Sequence, residues 1–375
     1  MTRILFCMPR FHTNMVPWVR VLQEAGHQID IHVQRVGGSE DHRLVTPLVV
    51  EAGLWSRRAA KLLKKRADPD FYHAPDIREY WKRLREENPD VVVVRGITRW
   101  FCRMAALIAR MQGRRVVIYD QEEPVPEARG STWYRRSLSK LLGFKVVTAR
   151  VAEPGTELGG FGYAKTLPFG ALQSSQELER SARKRLSQEH AVPSLLMVGK
   201  YRARKGHAEL VRALGRLSRD HEFRITFCGE ELNEADRNAR LAVQELCEQV
   251  GIADKVGFRS NLRLEQVLAL YSENQIFILP SRNEPAAVSP IEAAWQGCAV
   301  LVDHKSGTRF YLPAEHDFSF DASSSDDIAR AVAPLLSDRR RLANARRACL
   351  SRIAEISGDE AVLAAFNSAV LADRP

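Results

Sequence analysis

Apolar and polar positions alternate along this chain in two similar rounds. In the first, Ile4–Met8 is a short apolar run, followed by the polar loop "PRFHTN" and then "MVPWVRVLQEAGH", whose apolar positions recur at helical spacing up to Gly26. Ile29–Val33 and Val91–Val94 are further apolar runs, and "GRRVVIYD" and "FKVVTAR" add two more. Runs of four to six apolar residues between helical stretches predict a parallel sheet buried on both faces. The second round predicts strands at Ser194–Val198, Phe223–Cys228, Lys255–Phe258, Gln275–Leu279 and Cys298–Val302, with helices such as "HAELVRALGRLSR" and "ADRNARLAVQELCEQVG" between them.

The expected fold class is therefore α/β, with two Rossmann-like, doubly wound domains. The turn and the polar, proline-bounded stretch "TLPFGALQSSQELERSARKRLSQEHAVPS" mark the join. We place the boundaries at residues 1–168 and 169–355, and residues 356–375 supply a last helix, roughly Asp359–Leu371. Ligands of such sheets gather at the carboxyl ends of the strands, so the two domains are expected to face each other across a cleft. "ASSSDD" (322–327) is a polar loop suited to capping the helix that follows.

Composition narrows the class. The chain has 375 residues, 45% hydrophobic and 27% charged, in the range of a globular protein. Its six cysteines are scattered without a Cys-x-x-Cys pair, which argues against a zinc site or a disulfide framework and suits a reducing compartment. The apolar run at the N-terminus is too short for a signal peptide. No window approaches the ~20 apolar residues of a membrane span. The expected location is the cytoplasm, with peripheral attachment to the inner face of the cell membrane as an added expectation.

The net charge of +10 is unevenly distributed: residues 1–168 carry 28 Lys/Arg against 18 Asp/Glu, whereas the remainder carries 28 of each. The first half is thus fitted to meet something anionic. Much of this excess sits in "LWSRRAAKLLKKRA" (54–67). At helical pitch Trp55, Ala59, Leu62 and Leu63 fall on one side, and Arg57, Arg58, Lys61, Lys64 and Lys65 on the other. Such a helix either packs its apolar stripe on the sheet or lies in an anionic head-group layer, with Trp55, Arg57, Arg58, Lys61, Lys64 and Lys65 as the candidate contacts.

Two stretches carry the chemistry. In "LLMVGKYRARKGHAELVRAL" (195–214) a strand ends at Gly199, Lys200 and Lys205 follow, and Gly206 precedes a helix. Lysines near a helix N-terminus attract phosphate, although alone this pattern is more often a solvated basic loop. It lacks the spacing of a Walker loop. In "PSRNEPAAVSPIEAAWQG" (280–297) Glu284 lies in the loop after a strand and Glu292 in the following helix. Ser289-Pro290-Ile291-Glu292 has the form of a capping box, which explains Glu292 without chemistry. Glu284 has no such explanation.

Taken together, "VGKYRARKGHAELVRAL" and "ILPSRNEPAAVSPIEAAWQGCAVLV" resemble the two signature regions of the family 4 glycosyltransferases, retaining enzymes of GT-B architecture, in order and in their spacing of about 80 residues. The likeness is strong over residues 170–350 and weak before them, and by analogy with GT-B proteins it implies that the last helix, within residues 356–375, leans back on the first domain. It implies a hexosyltransferase that moves a sugar from a nucleoside-diphosphate donor, UDP- or GDP-linked, to a polysaccharide or lipid-linked acceptor with retention. It implies that Glu284 binds donor-sugar hydroxyls, Glu292 the ribose, and Lys200 and Lys205 the diphosphate. Gly199, Ala286 and Ala287 complete the donor site, and Glu284, Lys205, Lys200 and Asp120 form the catalytic set. Two fixed cations suit a leaving group that gathers charge as the glycosidic bond breaks.

The chain departs from the family pattern at several points. Ala286-Ala287 replaces the usual Phe-Gly, Gly229-Glu230-Glu231 replaces a Gly-x-Gly, and Tyr119-Asp120-Gln121-Glu122-Glu123 stands where His-Asp is common. His12, Asp120 and Glu122 are therefore all retained as acceptor-side candidates. We read Asp68-Pro69-Asp70 as a turn, because no strand precedes it. Neither a metal nor a cofactor is expected, the nucleotide-sugar being a substrate. A GT-B nucleotide-sugar epimerase or an inverting transferase is the alternative within enzymes. A basic nucleic-acid binder is the alternative outside them; it explains the charge but not Glu284, and no RNA- or DNA-binding motif accompanies it.

Overall fold

The computed structural model describes residues 1–37, 42–62, 69–121, 137, 139–152, 165–187, 191–314 and 318–372. By density of contacts the chain divides into two units, one formed by Met1–Gly170 with Asp359–Pro375 and the other by Ala171–Gly358.

The first unit holds β1 (Arg3–Met8), β2 (Gln28–Val33), β3 (Leu48–Val49), β4 (Val91–Arg95), β5 (Arg115–Tyr119), β6 (Lys145–Thr148) and β7 (Lys165–Thr166). They form a parallel sheet in the order β3-β2-β1-β4-β5-β6-β7. Ile4–Met8 and Val91–Val94 are buried along their whole length, as expected of central strands covered on both faces. The short edge strands β3 and β7 are not legible in the sequence, since two residues carry no period.

The helix Asp359–Phe366 belongs to this first unit and continues as a wider π turn, Asn367–Leu371. Phe366 is fully buried, its ring 6.1 Å from Phe6 and 6.2 Å from Trp18. Arg20 pairs with Asp359 at 2.6 Å. Arg115 donates to the carbonyl of Leu371, and Lys145 to that of Ala372.

The second unit repeats the plan with β8 (Ser194–Val198), β9 (Arg224–Gly229), β10 (Val256–Ser260), β11 (Ile276–Leu279), β12 (Ala299–Asp303) and β13 (Ser319–Phe320). They run parallel in the order β10-β9-β8-β11-β12-β13. The order reverses at β8, which has β9 on one side and β11 on the other. The carboxyl ends of the strands at such a point of reversal are the usual ligand position in an open α/β sheet. The loop that follows β8 carries Lys205, and the loop that follows β11 carries Glu284.

Ser324 caps the helix Ser325–Ser337, accepting from the Asp327 amide at 3.1 Å. The capping box at Ser289 does not form: the helix Ser289–Trp295 starts after Val288 without a side-chain cap. The Glu292 carboxylate is turned away to a tyrosine, as described below. All six cysteines are buried and unbridged. Among the described residues no helix is long and apolar enough to cross a membrane.

Candidate functional site

The loop after β8 winds one tight turn, Ala203–Lys205, and enters the helix His207–Leu217 through Gly206. Gly206 has φ +75°, and a Cβ there would overlap the carbonyl oxygen of Pro280. Only glycine permits both the left-handed backbone and this close approach. The two loops are thereby joined, and the Arg282 amide donates to the Arg204 carbonyl at 2.8 Å. Asn283, at φ 54°, reverses the second loop; asparagine is among the residues that tolerate this region.

The reversal brings the Glu284 carboxylate to Lys205. Oε2 of Glu284 accepts from Lys205 Nζ at 2.6 Å, from Ser281 Oγ at 2.7 Å and from Arg204 Nη1 at 2.8 Å. The Lys205 and Glu284 side chains are only 13% and 12% exposed, so their attraction is screened less than that of a surface pair. Burial raises the carboxyl pKa of Glu284, but Lys205, Ser281 and Arg204 outweigh it, and the net value lies below the usual carboxylate range. At neutral pH the centre therefore holds a carboxylate and two cations at the end of the sheet. That arrangement can accept from sugar hydroxyls and offer positive charge to a diphosphate.

The remaining expected residues lie around this centre. Lys200 pairs with Glu230 at 2.7 Å, and both side chains are well exposed, so this contact contributes little energy. Gly199 is not sterically required: a Cβ there would meet Lys205 Cδ at 3.7 Å, an ordinary contact. The glycine that is required is Gly229 at the end of β9, where a Cβ would strike the Tyr201 ring. Ala287 is buried and Ala286 partly so. Glu292 is partly buried and accepts from Tyr271 Oη at 3.0 Å. Burial pushes its pKa up, opposed by the Tyr271 bond. His207 stacks against Tyr201, with ring centroids 4.9 Å apart, and burial followed by the charge of Lys205 lowers its pKa from 6.5 to about 4.

Sequence reasoning missed Arg204, Ser281 and Tyr271. Arg204 is one of several basic residues in "YRARKG", and nothing in the spacing singles it out. Ser281 is a common loop residue and Tyr271 lies on a separate helix, so neither has a local signal.

Asp303, His304 and Asp321 form a group whose geometry could hold a metal ion. One oxygen of each carboxylate is already engaged. Asp303 accepts from the Ala322 amide, and Asp321 from the amide and hydroxyl of Ser323.

In the first unit, His12 follows β1 and its carbonyl accepts from the Met15 amide at 2.9 Å. Asp120 follows β5, with its amide bound to the Val147 carbonyl, and the neighbouring Gln121 is held by Arg95 at 2.7 Å. Both residues lie at the carboxyl edge of that sheet. Glu122 lies outside the described residues.

In the helix Leu54–Leu62, Trp55 does not pack on the sheet, one of the two placements expected for it. The packed side of the helix is that of Ser56, which donates to the Tyr72 carbonyl at 2.6 Å and accepts from the Ala74 amide at 2.8 Å. Trp55 is 80% exposed beside Leu54, and the Arg58 guanidinium lies 5.7 Å from the centre of the Trp55 ring. The tryptophan thus shares a side with a basic residue that the helical plot placed opposite it, because residues three apart are helical neighbours. The exposed Arg57 reaches the Ala52 carbonyl at 2.7 Å. Lys64 and Lys65 and the side chain of Lys61 lie outside the described residues.

The likeness to known proteins in sequence lies in the second unit. Residues 179–351 match the family model described as glycosyl transferases group 1. The mouse (Mus musculus) GDP-Man:Man(3)GlcNAc(2)-PP-Dol alpha-1,2-mannosyltransferase is 23% identical over 174 residues, 43% of this chain and 35% of that protein. The GDP-mannose:cellobiosyl-diphosphopolyprenol alpha-mannosyltransferase of Xanthomonas campestris is 31% identical over 107 residues, 28% of this chain and 27% of that protein. The matched stretches thus span about a third of these relatives or less. Among solved structures, Anabaena Alr3699/HepE in complex with UDP and glucose superposes with a TM-score of 0.72 at 12% identity, covering 98% of this chain and 99% of that one. That likeness shows the fold, the two-sheet GT-B architecture. Residues 179–351, a little under half of the chain, are thus similar to the glycosyl transferases group 1 family.

Proposed function

We propose that this protein is a hexosyltransferase that transfers a sugar from a nucleoside-diphosphate donor to a saccharide or lipid-linked acceptor, with retention and without a metal ion. The observation that carries this reading is the convergence of Glu284, Lys205 and Arg204 beyond the carboxyl ends of β8 and β11, within a group 1 domain. In this reading Glu284 accepts from hydroxyls of the donor sugar. Lys205 and Arg204 leave Glu284 for the diphosphate and stabilise its growing charge as the glycosidic bond breaks. Lys200 exchanges Glu230 for the same diphosphate. Glu292, oriented by Tyr271, binds the ribose, while Gly199, Ala286 and Ala287 line the donor. Asp120 and His12, with Glu122, are the acceptor-side groups.

A GDP-linked hexose is the favoured donor, since both relatives named above are mannosyltransferases whose names specify GDP-mannose. Their dolichol- and polyprenol-linked substrates, together with the exposed Trp55 and Leu54 beside Arg57 and Arg58, favour an acceptor on a lipid carrier at an anionic membrane surface. The first test is a thermal-shift panel of UDP, GDP, ADP and their sugars. A ligand at one hundred times its dissociation constant stabilises by about 2.7 kcal/mol. The expected result is a shift with GDP and GDP-mannose; no shift with any nucleotide overturns the reading. NMR of the anomeric proton of the product then separates retention from inversion or epimerisation.

A further inference from the structure

The two glutamates of the proposed donor site are held in opposite ways. Glu284 is surrounded by cations, whereas Glu292 is held by a phenol. Tyr271 lies in the helix Leu264–Glu273, which precedes β11, and Glu292 in the first turn of the helix Ser289–Trp295, which follows it. The Tyr271 hydroxyl donates to Oε2 of Glu292 at 3.0 Å. Oε1 accepts from none of the described residues, and it is not enclosed, so a ligand hydroxyl can reach it.

The phenol is itself fixed. Tyr271 is fully buried, and its ring centroid lies 5.6 Å from that of Phe277 on β11, edge to face. Its carbonyl accepts from the thiol of Cys298, just before β12, at 3.2 Å. Burial keeps the phenol protonated far above neutral pH, so it is a permanent donor. A glutamate in the first turn of a helix otherwise bends back to the free amides there. Tyr271 competes with that cap, and the helix Ser289–Trp295 begins without one.

We propose that Tyr271 is a positioning residue for the donor: by holding Oε2 of Glu292 away from its own helix it presents Oε1 to the ribose hydroxyls, and so makes the site select ribonucleoside over deoxyribonucleoside diphosphates. The role rests on the reading that Glu292 binds the ribose. An ionised carboxylate has acceptor sites for the phenol and the ribose at once. Burial raises the Glu292 pKa and the Tyr271 bond lowers it. Loss of the phenol therefore lets the carboxyl take a proton at a higher pH than in the parent. The thiols of Cys228 and Cys298 also lie near the phenol; burial pushes them up to about 11 and about 12, so both stay neutral through this range.

Isothermal titration of the full chain with GDP and UDP, each beside its 2′,3′-dideoxy form, measures the preference for ribose. Inorganic pyrophosphate measures the diphosphate contact alone. The parent is expected to bind one of the two ribonucleotides at least about tenfold more tightly than its dideoxy form, the worth of a hydrogen bond to a charged group. Glu292→Ala should abolish that preference. Tyr271→Phe, which keeps the ring against Phe277, should reduce it at least about threefold at pH 7.5. What remains should fade at a higher pH than in the parent as the solution is acidified. Pyrophosphate, which lacks a ribose, should bind all three proteins alike. A phenol with only a packing role would lower the melting temperature and leave the ratio and its pH profile unmoved. Preference that the parent lacks, or that survives Glu292→Ala, overturns the ribose reading and the proposal with it. Preference lost in Glu292→Ala but unchanged in Tyr271→Phe overturns the positioning role alone.

Discussion

At the scale of single residues, the close contact of Lys205 with Glu284 means that neither acts alone. Lys205→Ala is expected to weaken nucleoside-diphosphate binding by about 1.5–3 kcal/mol, the worth of a charge-assisted contact. Glu284→Gln is expected to remove most turnover and to affect the bare nucleotide far less. Because the two side chains touch, the double variant should be non-additive by about 0.5–3 kcal/mol. Additive losses measured by titration and kinetics would separate the two residues and contradict the geometry. His207 gives a pH prediction. Its folded pKa is about 4 against 6.5 when free, so between these values the unfolded chain binds a proton that the folded chain refuses. Its contribution is fully present above pH 6.5, declines as pH falls through that window and is lost below about 4. The total is on the order of 3 kcal/mol. Urea unfolding at pH 7.5 and pH 5 should show a smaller acid loss in His207→Phe than in the parent; equal losses would mean that the ring titrates freely.

At the scale of elements, Gly206 couples two loops that the sequence separates by about 80 residues. Gly206→Ala forces a Cβ onto the Pro280 carbonyl at a positive φ. It should cost about 1–3 kcal/mol, and nucleotide binding should weaken with it because Lys205 is the preceding residue. Gly199→Ala should be milder, since its Cβ finds ordinary contact. Thermal melts that reverse this order would show that the loops are not held at Gly206. The exposed side of the helix Leu54–Leu62 carries the other element-level prediction. Trp55→Ser with Arg57→Glu and Arg58→Glu should reduce binding to anionic vesicles, each basic residue near such a surface contributing about 1 kcal/mol. Added salt should weaken the parent likewise. Co-sedimentation equal on neutral and anionic vesicles would leave the helix with no electrostatic part in attachment.

At the scale of the whole chain, the first unit is closed by residues from the other end of the sequence. Phe366 fills a space between Phe6 and Trp18, so Phe366→Ala should cost about 3–5 kcal/mol. Ending the chain at Gly358 should destabilise the first unit and spare the second. Limited proteolysis that cuts within residues 1–170 while Ala171–Gly358 survives is the expected pattern. Simultaneous loss of both would show that the units do not unfold separately.

The sequence by itself determined the class of fold and the place to look for chemistry. Buried parallel strands must be apolar throughout, so β1, β4, β8, β11 and β12 declare themselves as runs, and the loops at their carboxyl ends follow. Glycine at position 206 and a glutamate without a capping role at position 284 were visible for the same reason: local geometry restricts which residues can stand there. Strand order, the partners of each charge and the burial of each side chain depend on contacts between distant segments, which no local pattern encodes. Tertiary structure alone therefore decided that Arg204 and Ser281 share the Glu284 carboxylate and that Glu292 turns to Tyr271 instead of capping its helix. It also decided that Trp55 faces outward.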